Sequence, residues 1–345
     1  MPNDVLTAAI DQLAERRDLS QDQAGEVLAE IMAGNGSESQ IAAFLIALRT
    51  KGETVEEIAG LAATMRALAT PVPTERHDLL DTAGTGGGRH TFNVSTTAAL
   101  VAAGAGAAVA KHGNRSATRA SGSADVLEAL GGRIDLTPDD VGACIDEVGF
   151  GFMFAPRHHA ATRFVIPVRK ELAVRTIFNF LGPLTNPAGA RRQVVGVSDP
   201  NYIEVLAGAL ARLGCDRALV VSSADGLDEM STSAPTHVVE VNGDELRRYD
   251  VSPGDVGLAE APVGAISGGG PAANAAVTRA VFDGAPGPDT DLVLLNAGAA
   301  IYAAGQVDDL GAGVELARET IASGAAARTL EDYVRLTRER SPATA

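Results

Sequence analysis

The sequence predicts an α/β protein in which a small helical N-terminal domain is followed by a larger domain with a mostly parallel central sheet. In the first 70 residues, apolar side chains recur at helical spacing behind helix-start signals, whereas after residue 71 short apolar runs alternate with helical stretches. The composition agrees, because 38 glycines and few aromatic residues suit a closely packed α/β enzyme. We expect the domains to comprise residues 1–70 and 71–345.

The N-terminal residues contain three signals typical of helix starts. Each is a capping box, a Ser or Thr followed three residues later by Gln or Glu: Ser20 with Gln23, Ser37 with Gln40, and Thr54 with Glu57. Gly34 and Gly52 follow the apolar stripes and predict helix ends. Pro71-Val72-Pro73 then breaks the pattern and predicts a linker.

Five short apolar runs predict the strands of the sheet, at residues 79–82, 107–110, 150–154, 193–197 and 218–222. An Asn242-Gly243 turn between the apolar runs 238–241 and 246–249 predicts an appended hairpin. Residues 313–338 have a helical pattern.

Charge and cysteine content narrow the possible partners and compartments. A net charge of −16 repels a polyanion, so nucleic acid is a poor partner, although a cleft can still bind a small phosphorylated molecule. Cys144 and Cys215 are far apart in apolar contexts, which disfavours a disulfide or a cysteine metal site and fits a reducing cytoplasm. The N-terminus lacks the pattern of a signal peptide, and no apolar run is long enough to span a membrane.

A glycine-rich loop at residues 84–88 follows a predicted strand. Its glycines allow the backbone to approach an anion closely with several N–H groups. Asn93-Val94-Ser95-Thr96 then opens a helix, whose N-terminus favours phosphate or pyrophosphate. The spacing matches neither a Walker loop nor a dinucleotide fingerprint, and a simple glycine-rich turn with an Asn or Ser cap is the structural alternative.

A second candidate phosphate site, Lys111-His112-Gly113-Asn114-Arg115-Ser116, comes directly after the strand at 107–110. Open α/β sheets bind ligands at this end of their strands. Lys111 can direct a point charge at a phosphate, and Asn114 can both donate and accept hydrogen bonds. Ser121-Gly122-Ser123 begins another helix. A solvated loop is the alternative interpretation.

Asp228 and Glu229 lie in a loop just past the strand at residues 218–222. Neighbouring carboxylates in a loop suit Mg²⁺, which binds oxygen ligands and keeps several waters. Such a pair is more often an exposed turn. The two phosphate loops favour Mg²⁺ here, because the charge of a pyrophosphate needs an offset.

The segment from Phe152 to Pro187 contains a fourth group of candidates. Arg169, in an apolar helical stretch, can bind a carboxylate through two parallel hydrogen bonds. Arg175 and Asn179 can equally well pin a helix to its neighbouring loop, and His158 is interpreted as a structural histidine.

Taken together and in order, these motifs resemble those of the anthranilate phosphoribosyltransferase family. The motifs are Gly84-Thr-Gly-Gly, Asn93-Val-Ser-Thr96, Lys111-His-Gly-Asn-Arg115, Ser121-Gly-Ser-Ala-Asp125, Pro167-Val-Arg169, Arg175-Thr-Ile-Phe-Asn179 and Leu181-Gly-Pro-Leu-Thr-Asn-Pro187. The resemblance implies transfer of the 5-phosphoribosyl group of 5-phosphoribosyl 1-diphosphate (PRPP) to the amine of anthranilate, in tryptophan synthesis, with release of pyrophosphate. It also implies Mg²⁺ as the cofactor, helices at about 168–188 that pack on the helical domain, and a homodimer formed through that domain.

The resemblance further implies which residues form the site. Those implied around PRPP are Gly84, Gly87, Gly88, Thr91, Asn93, Val94, Ser95, Thr96, Lys111, His112, Gly113, Asn114, Arg115, Ser116, Ala117, Thr118, Arg119 and Ser123. Those implied around anthranilate are Gly84, Asn114, His159 and Arg169, with Arg169 on the carboxylate. Ser95, Asp228 and Glu229 are the implied Mg²⁺ residues, and Lys111 would act electrostatically.

One position departs from the family pattern. Relatives usually end the first loop with Asp, as Gly-Thr-Gly-Gly-Asp, whereas this chain has Gly88 and one residue fewer before Asn93. Loss of that carboxylate leaves less negative charge beside the diphosphate, so we expect a backbone contact at Gly88 and a change in how Mg²⁺ binds.

No Ser-His-Asp or Cys-His nucleophile set is evident, and the implied reaction needs none because an aniline-type amine is unprotonated at neutral pH. We expect catalysis by orientation and by electrostatic stabilisation of the departing pyrophosphate. Two alternatives are a pyrimidine nucleoside phosphorylase, which shares the fold, and a nucleic-acid-binding paralogue without activity. Arg169 and residues 175–187 favour the transferase over the first, and the net charge of −16 argues against the second.

Overall fold

The computed structural model of the chain describes residues 2–116, 120–266 and 268–340. It begins with four helices, α1 (Asp4–Ala14), α2 (Gln21–Ala33), α3 (Glu38–Lys51) and α4 (Val55–Ala67). Complete capping boxes start α2 at Ser20 and α4 at Thr54, as predicted. The predicted box at Ser37 is only half present, because the side chain of Gln40 bonds to Asn3 at the start of α1 instead.

In the described part of the chain, seven strands form one sheet in the order β3-β2-β1-β4-β5-β6-β7. They are β1 (Leu79–Gly84), β2 (Ala108–Gly113), β3 (Phe150–Phe154), β4 (Arg192–Gly196), β5 (Arg217–Ser223), β6 (Thr236–Asn242) and β7 (Glu245–Val251). Strands β1 to β5 pair in parallel, and β6 and β7 form the predicted antiparallel hairpin. The predicted fold class is therefore confirmed.

Two strands extend further toward their carboxyl ends than predicted. Lys111, His112 and Gly113 belong to β2 rather than to the loop after it, because pairing with β3 continues to the Gly113–Phe154 register. Strand β1 likewise continues to Gly84, opposite Gly196 of β4. The sequence alone does not reveal these extensions, because the last residues are not part of an apolar run. Hydrogen bonds from the neighbouring strands hold them in the sheet.

Helices cover both faces of the sheet. Those after the linker are α5 (Val94–Gly104), α6 (Ser123–Leu130), α7 (Pro138–Val148), α8 (Ala155–His158), α9 (Ile166–Leu172), α10 (Phe178–Leu184), α11 (Ile203–Arg212), α12 (Pro271–Phe282), α13 (Pro288–Ala303), α14 (Leu310–Ala322) and α15 (Ala325–Arg340). The C-terminal stretch thus forms two helices rather than one, because the chain turns at Gly324, where φ is +73°.

The sheet separates two large apolar clusters. Along β4 and β5, Val194 and Leu219 pack with α5 and α13, whereas the next residues, Val195 and Val220, pack on the opposite face. This alternation follows from the two-residue period of a strand. The second cluster also contains apolar residues of α1–α4, α9, α10 and α11. The helical N-terminal region and one face of the sheet therefore share a continuous core.

Both cysteines are buried free thiols, as their apolar sequence contexts predicted. Burial raises the pKa of the Cys144 and Cys215 thiols to about 12. Among the helices in the described ranges, none has the length and apolar character needed to cross a bilayer.

Candidate active site

A cleft of about 370 Å³ opens at the carboxyl ends of the central strands. The chain proceeds from β1 to β2 and β3 on one side and returns to β4 on the other, and ligands in open α/β folds bind at such a switch point. The cleft is lined by Ala83, Gly84, Thr85, Gly86, Gly87, Thr91, Phe92, Asn93, Ser95, Thr96, Lys111, His112, Gly113, Asn114, Arg115, Ser116, Ser121, Gly122, Ser123, Arg169, Phe178, Asn179, Asp228 and Glu229.

The glycine-rich loop forms one wall of this cleft. Gly86 and Gly87 have φ values of +70° and +83°, a conformation that glycine adopts without strain. The Gly86 N–H donates to a carboxylate oxygen of Asp228 at 3.0 Å. Gly88 does not line the cleft, because it packs against the loop that carries Asp228 and Glu229, the acidic loop. A Cβ on Gly88 would lie 2.7 Å from the Gly226 carbonyl oxygen of that loop.

The N-terminus of α5 faces the cleft through Thr91, Asn93, Ser95 and Thr96. Asn93 precedes the helix, but its side chain makes no capping bond. Its amide oxygen instead accepts from Ser121 and from Asn274, both at 2.9 Å. The interpretation as a simple Asn cap is therefore wrong. Val94 was expected near PRPP, but its side chain is fully buried in the core and Val94 is not among the residues that line the cleft.

Lys111 is almost fully buried, at 2% exposure. Its ammonium donates to the carbonyl and hydroxyl oxygens of Thr82 and lies 3.4 Å from the Ser95 hydroxyl. Burial lowers the pKa of Lys111 to about 8, and the negative charges of Asp81 and Glu229 oppose this shift. Lys111 therefore holds the end of β1 against Ser95 as well as adding positive charge to the cleft.

Two buried polar residues, to which the sequence alone assigned no role in the site, support this arrangement. Asp81 accepts from the His112 N–H at 3.1 Å and from the Asn186 amide at 2.8 Å. The Asn186 amide also donates to the Ala110 carbonyl at 2.8 Å. Complete burial raises the pKa of Asp81. A carboxyl residue three positions before the glycine-rich loop was the available signal, but its partners are 31 and 105 residues away.

Arg115, in the loop after β2, contributes less positive charge to the cleft than the sequence indicated. Arg115 touches the cleft, but its guanidinium pairs with Asp125 at 2.8 Å and Glu128 at 2.6 Å on α6. These carboxylates raise the pKa of Arg115 above its usual value. Ser116 and Ser123 line the cleft as expected. The candidate residues Ala117, Thr118 and Arg119 lie outside the described residues.

The acidic loop lies directly against the ends of β1 and β4. A Cβ on Gly196 would collide with the Asp228 backbone, and one on Gly84 would lie 2.8 Å from its carboxylate. Glu229 accepts from the Thr91 hydroxyl at 3.4 Å. Glycines at these two strand ends therefore allow both carboxylates to reach the cleft.

The carboxylates of Asp228 and Glu229 and the hydroxyl of Ser95 line the same cleft, and oxygen ligands of this kind fit Mg²⁺. Within the described ranges no group of three or more His, Cys, Asp or Glu residues could hold a metal ion. A metal bound here would depend on phosphate oxygens and water for its remaining ligands, which is the usual pattern for Mg²⁺.

On the opposite wall, Arg169 lies with its guanidinium 5.5 Å from the centre of the Phe178 ring. Burial lowers the pKa of Arg169. Among the residues that the structure describes, none forms an ion pair with this guanidinium. A partly desolvated cation without a carboxylate partner is suited to a carboxylate ligand.

His159 is not brought to the cleft surface. Its ring is buried, bonds through Nε2 to the Thr185 carbonyl at 3.1 Å and lies 5.1 Å from the His112 ring, which does line the cleft. Burial lowers the pKa of His159 to about 4 and that of His112 to about 3. His159 was expected to face anthranilate directly, but the structure places it behind His112 and outside the residues that line the cleft. His158 bonds to the Thr70 carbonyl, in agreement with a structural role.

The chain is similar to known proteins over nearly its whole length. Residues 76–327 match the α/β domain of a glycosyl transferase family, and residues 7–69 match the helical bundle domain of such a family. An anthranilate phosphoribosyltransferase of Symbiobacterium thermophilum is 54% identical over 327 residues, which cover 94% of this chain and 96% of the relative.

Two solved structures have the same fold. The crystal structure of anthranilate phosphoribosyltransferase from Thermus thermophilus is 48% identical, with a TM-score of 0.91 and coverage of 96% of this chain and 99% of that one. The Saccharomyces cerevisiae enzyme in complex with PRPP and Mg is 27% identical, with a TM-score of 0.88 and coverage of 97% and 98%. By sequence, fold and cleft, the chain belongs to the anthranilate phosphoribosyltransferase family.

Proposed function

We propose that this chain transfers the 5-phosphoribosyl group of PRPP to the amine of anthranilate in tryptophan synthesis, giving N-(5-phosphoribosyl)anthranilate and pyrophosphate. The observation that carries the proposal is the cleft itself. It contains a glycine-rich anion loop, a helix N-terminus and two carboxylates on one side and Arg169 without an ion-pair partner among the described residues on the other. The family's named activity supports this function over a phosphorylase or a nucleic-acid-binding role.

The PRPP side of the proposed site comprises Gly84, Gly87 and the N-terminus of α5, with the segment 111–116 opposite. The N–H groups of the loop and of the helix end would bind phosphate oxygens, and Ser95, Asp228 and Glu229 would hold Mg²⁺. When bound, Mg²⁺ would stabilise the negative charge of the departing pyrophosphate. Lys111 would keep the Ser95 hydroxyl in position from behind.

The anthranilate side comprises Arg169 and Asn114, close to Gly84. Arg169 would bind the carboxylate and so orient the ring and its amine toward the ribose carbon. The amine is neutral at physiological pH, so the chain needs no general base, and the neutral His112 ring adds a surface without charge.

We further propose a homodimer formed through the helical region, a cytoplasmic location, and a division into domains near residue 70. The reducing environment suits the two buried thiols. Sedimentation velocity on the purified full chain measures the oligomeric state, and a monomer at micromolar concentration would contradict the dimer.

The reaction is tested by the loss of anthranilate fluorescence with PRPP and Mg²⁺, omitting each component in turn. We expect turnover only with all three, and equal amounts of pyrophosphate and phosphoribosylated product by mass spectrometry. Phosphorolysis of thymidine or uridine is assayed in parallel. Phosphorolysis without consumption of anthranilate would overturn the proposal.

A further inference from the structure

The peptide unit between Gly86 and Gly87 is held from one side by two side chains. The Gly86 carbonyl oxygen accepts from the Ser198 hydroxyl at 2.8 Å and from the Arg175 guanidinium at 3.0 Å. Arg175 and Ser198 also hydrogen-bond to each other. A carbonyl with two such donors resists rotation, because a flip would break both bonds and leave the donors unpaired.

The two donors come from separate parts of the chain. Ser198 follows β4, whereas Arg175 lies in the short connection between α9 and α10. The backbone of Arg175 is anchored in turn, since its carbonyl accepts from Arg49 of α3 at 2.9 Å. Among the described residues no carboxylate pairs with the Arg175 guanidinium, so the Gly86 carbonyl and Ser198 are its partners.

The geometry of a peptide bond connects this carbonyl to the cleft. In a trans peptide, the C=O of one residue and the N–H of the next point in opposite directions. Arg175 and Ser198 are not among the cleft-lining residues, whereas Gly86 and Gly87 are. With the Gly86 carbonyl held by them, the Gly87 N–H faces the other way, and within the described ranges it has no main-chain hydrogen-bond acceptor.

We propose that Arg175 and Ser198 are positioning residues that lock the Gly86–Gly87 peptide so that the Gly87 N–H donates to the diphosphate of PRPP. A flipped peptide would present a carbonyl oxygen to the diphosphate and repel it. Glycine at 87 is required for the same arrangement, because a Cβ there would collide with the Arg175 guanidinium. The inference rests on the proposed function for the identity of the anion, but the lock itself is a property of the free protein.

The test compares Arg175→Ala, Arg175→Lys and Ser198→Ala with Arg192→Ala. Arg192 is a matched control, because its half-buried guanidinium also donates to a main-chain carbonyl, that of Ala304, but at the opposite end of β4. Calorimetry measures the affinity for inorganic pyrophosphate with Mg²⁺. We expect binding about tenfold weaker for Arg175→Ala and about threefold weaker for Ser198→Ala, the effect of losing one hydrogen bond to a charged or a neutral donor.

Three results together support the lock. Arg175→Lys should recover part of the affinity because an ammonium can reach the same carbonyl, Arg192→Ala should bind as the wild type does, and KM for anthranilate should change less than KM for PRPP. Wild-type pyrophosphate affinity in both Arg175→Ala and Ser198→Ala, or an equal loss in Arg192→Ala, overturns the inference.

Amide hydrogen exchange over residues 84–92 of the free protein gives a second readout, independent of substrate. We expect faster exchange in Arg175→Ala than in Arg192→Ala, because the released peptide samples other orientations. Equal exchange rates overturn the lock whatever the enzyme's activity. Failure of the wild type to bind pyrophosphate or consume anthranilate would instead count against the proposed function.

Discussion

Gly88 is the residue at which this chain departs from its family's usual pattern, and the structure supplies a local reason for glycine there. A Cβ would lie 2.7 Å from both the Gly226 carbonyl and the Asp228 carboxylate, and 2.9 Å from the Asp228 nitrogen. Two of these atoms are backbone and cannot rotate away. The glycine-rich loop therefore packs so closely against the acidic loop that position 88 has no room for a side chain.

Substitution of Gly88 should separate the two loops. We expect Gly88→Ala to lower kcat/KM for PRPP about tenfold, in line with overpacking costs of about 1–3 kcal/mol. Gly88→Asp should be more damaging, because it adds a negative charge beside Asp228. Steady-state kinetics with varied PRPP and Mg²⁺ measure both effects. Gly254→Ala is the control, since a Cβ there meets open space. Unchanged kinetics in Gly88→Ala and Gly88→Asp would contradict the prediction that the close packing of the two loops matters for PRPP.

Arg169 should act on one substrate and not the other. We expect Arg169→Ala to raise KM for anthranilate about 10-fold or more, the cost of losing a charge-assisted bond, with a much smaller change in KM for PRPP. Arg169→Lys keeps the charge but loses the two-pronged geometry, so its effect should be intermediate. Equal increases in the two KM values would contradict a contact with the anthranilate carboxylate.

At the scale of elements, local signals located helices better than strand ends. The boxes at Ser20 and Thr54 act within three residues, so the sequence contains both partners. The extension of β2 to Gly113 depends on pairing with β3, about 40 residues later. The cleft lies at the strand ends, where the sequence predicted it. The prediction overestimated the positive charge available from Arg115, because its carboxylate partners lie on the following helix, α6.

The acidic loop is the element whose role in metal binding can be isolated. We expect the double variant Asp228→Asn with Glu229→Gln to raise the Mg²⁺ concentration for half-maximal rate about tenfold or more, because Mg²⁺ prefers charged oxygen ligands. Anthranilate binding, followed by its own fluorescence, should change little. The matched control neutralises Asp250 and Glu245 on β7, away from the cleft. An unchanged Mg²⁺ titration would refute the metal role.

At the scale of the whole molecule, three neutral histidines lie where the helical region meets the sheet. His158 bonds to the carbonyl of Thr70, directly before the linker. His112 bonds to a carbonyl of α10, and His159 bonds to the carbonyl of the residue after that helix. Burial lowers the pKa of all three, most strongly for His112. Each ring in turn lies near another cation or histidine, which adds to the shift. Protonation of any one therefore opposes the packing of the two regions.

The stability of the fold should consequently decrease in mild acid. The unfolded chain binds these protons near pH 6.5, whereas folded His159 binds its proton only near pH 4, so stability present above pH 6.5 is lost as the pH falls toward 4. Each such histidine contributes at most about 1.4 kcal/mol per pH unit. Urea unfolding between pH 7 and pH 5 should show a flatter profile for His159→Gln than for the wild type. His237→Gln, at an exposed hairpin position, is the control, and parallel profiles for wild type and His159→Gln would contradict the prediction.

The sequence by itself determined the fold class, the helix starts and the ordered motifs that assign the family, because these depend on periodicity and on residues a few positions apart. Only the tertiary structure decided which motif residues face the cleft. It directed Arg115 to α6, buried His159 behind His112, packed Gly88 against Gly226, and brought Arg175 to the Gly86 carbonyl. Each of these outcomes depends on partners distant in the chain, whose distances are set only when the helical region and the sheet share one core.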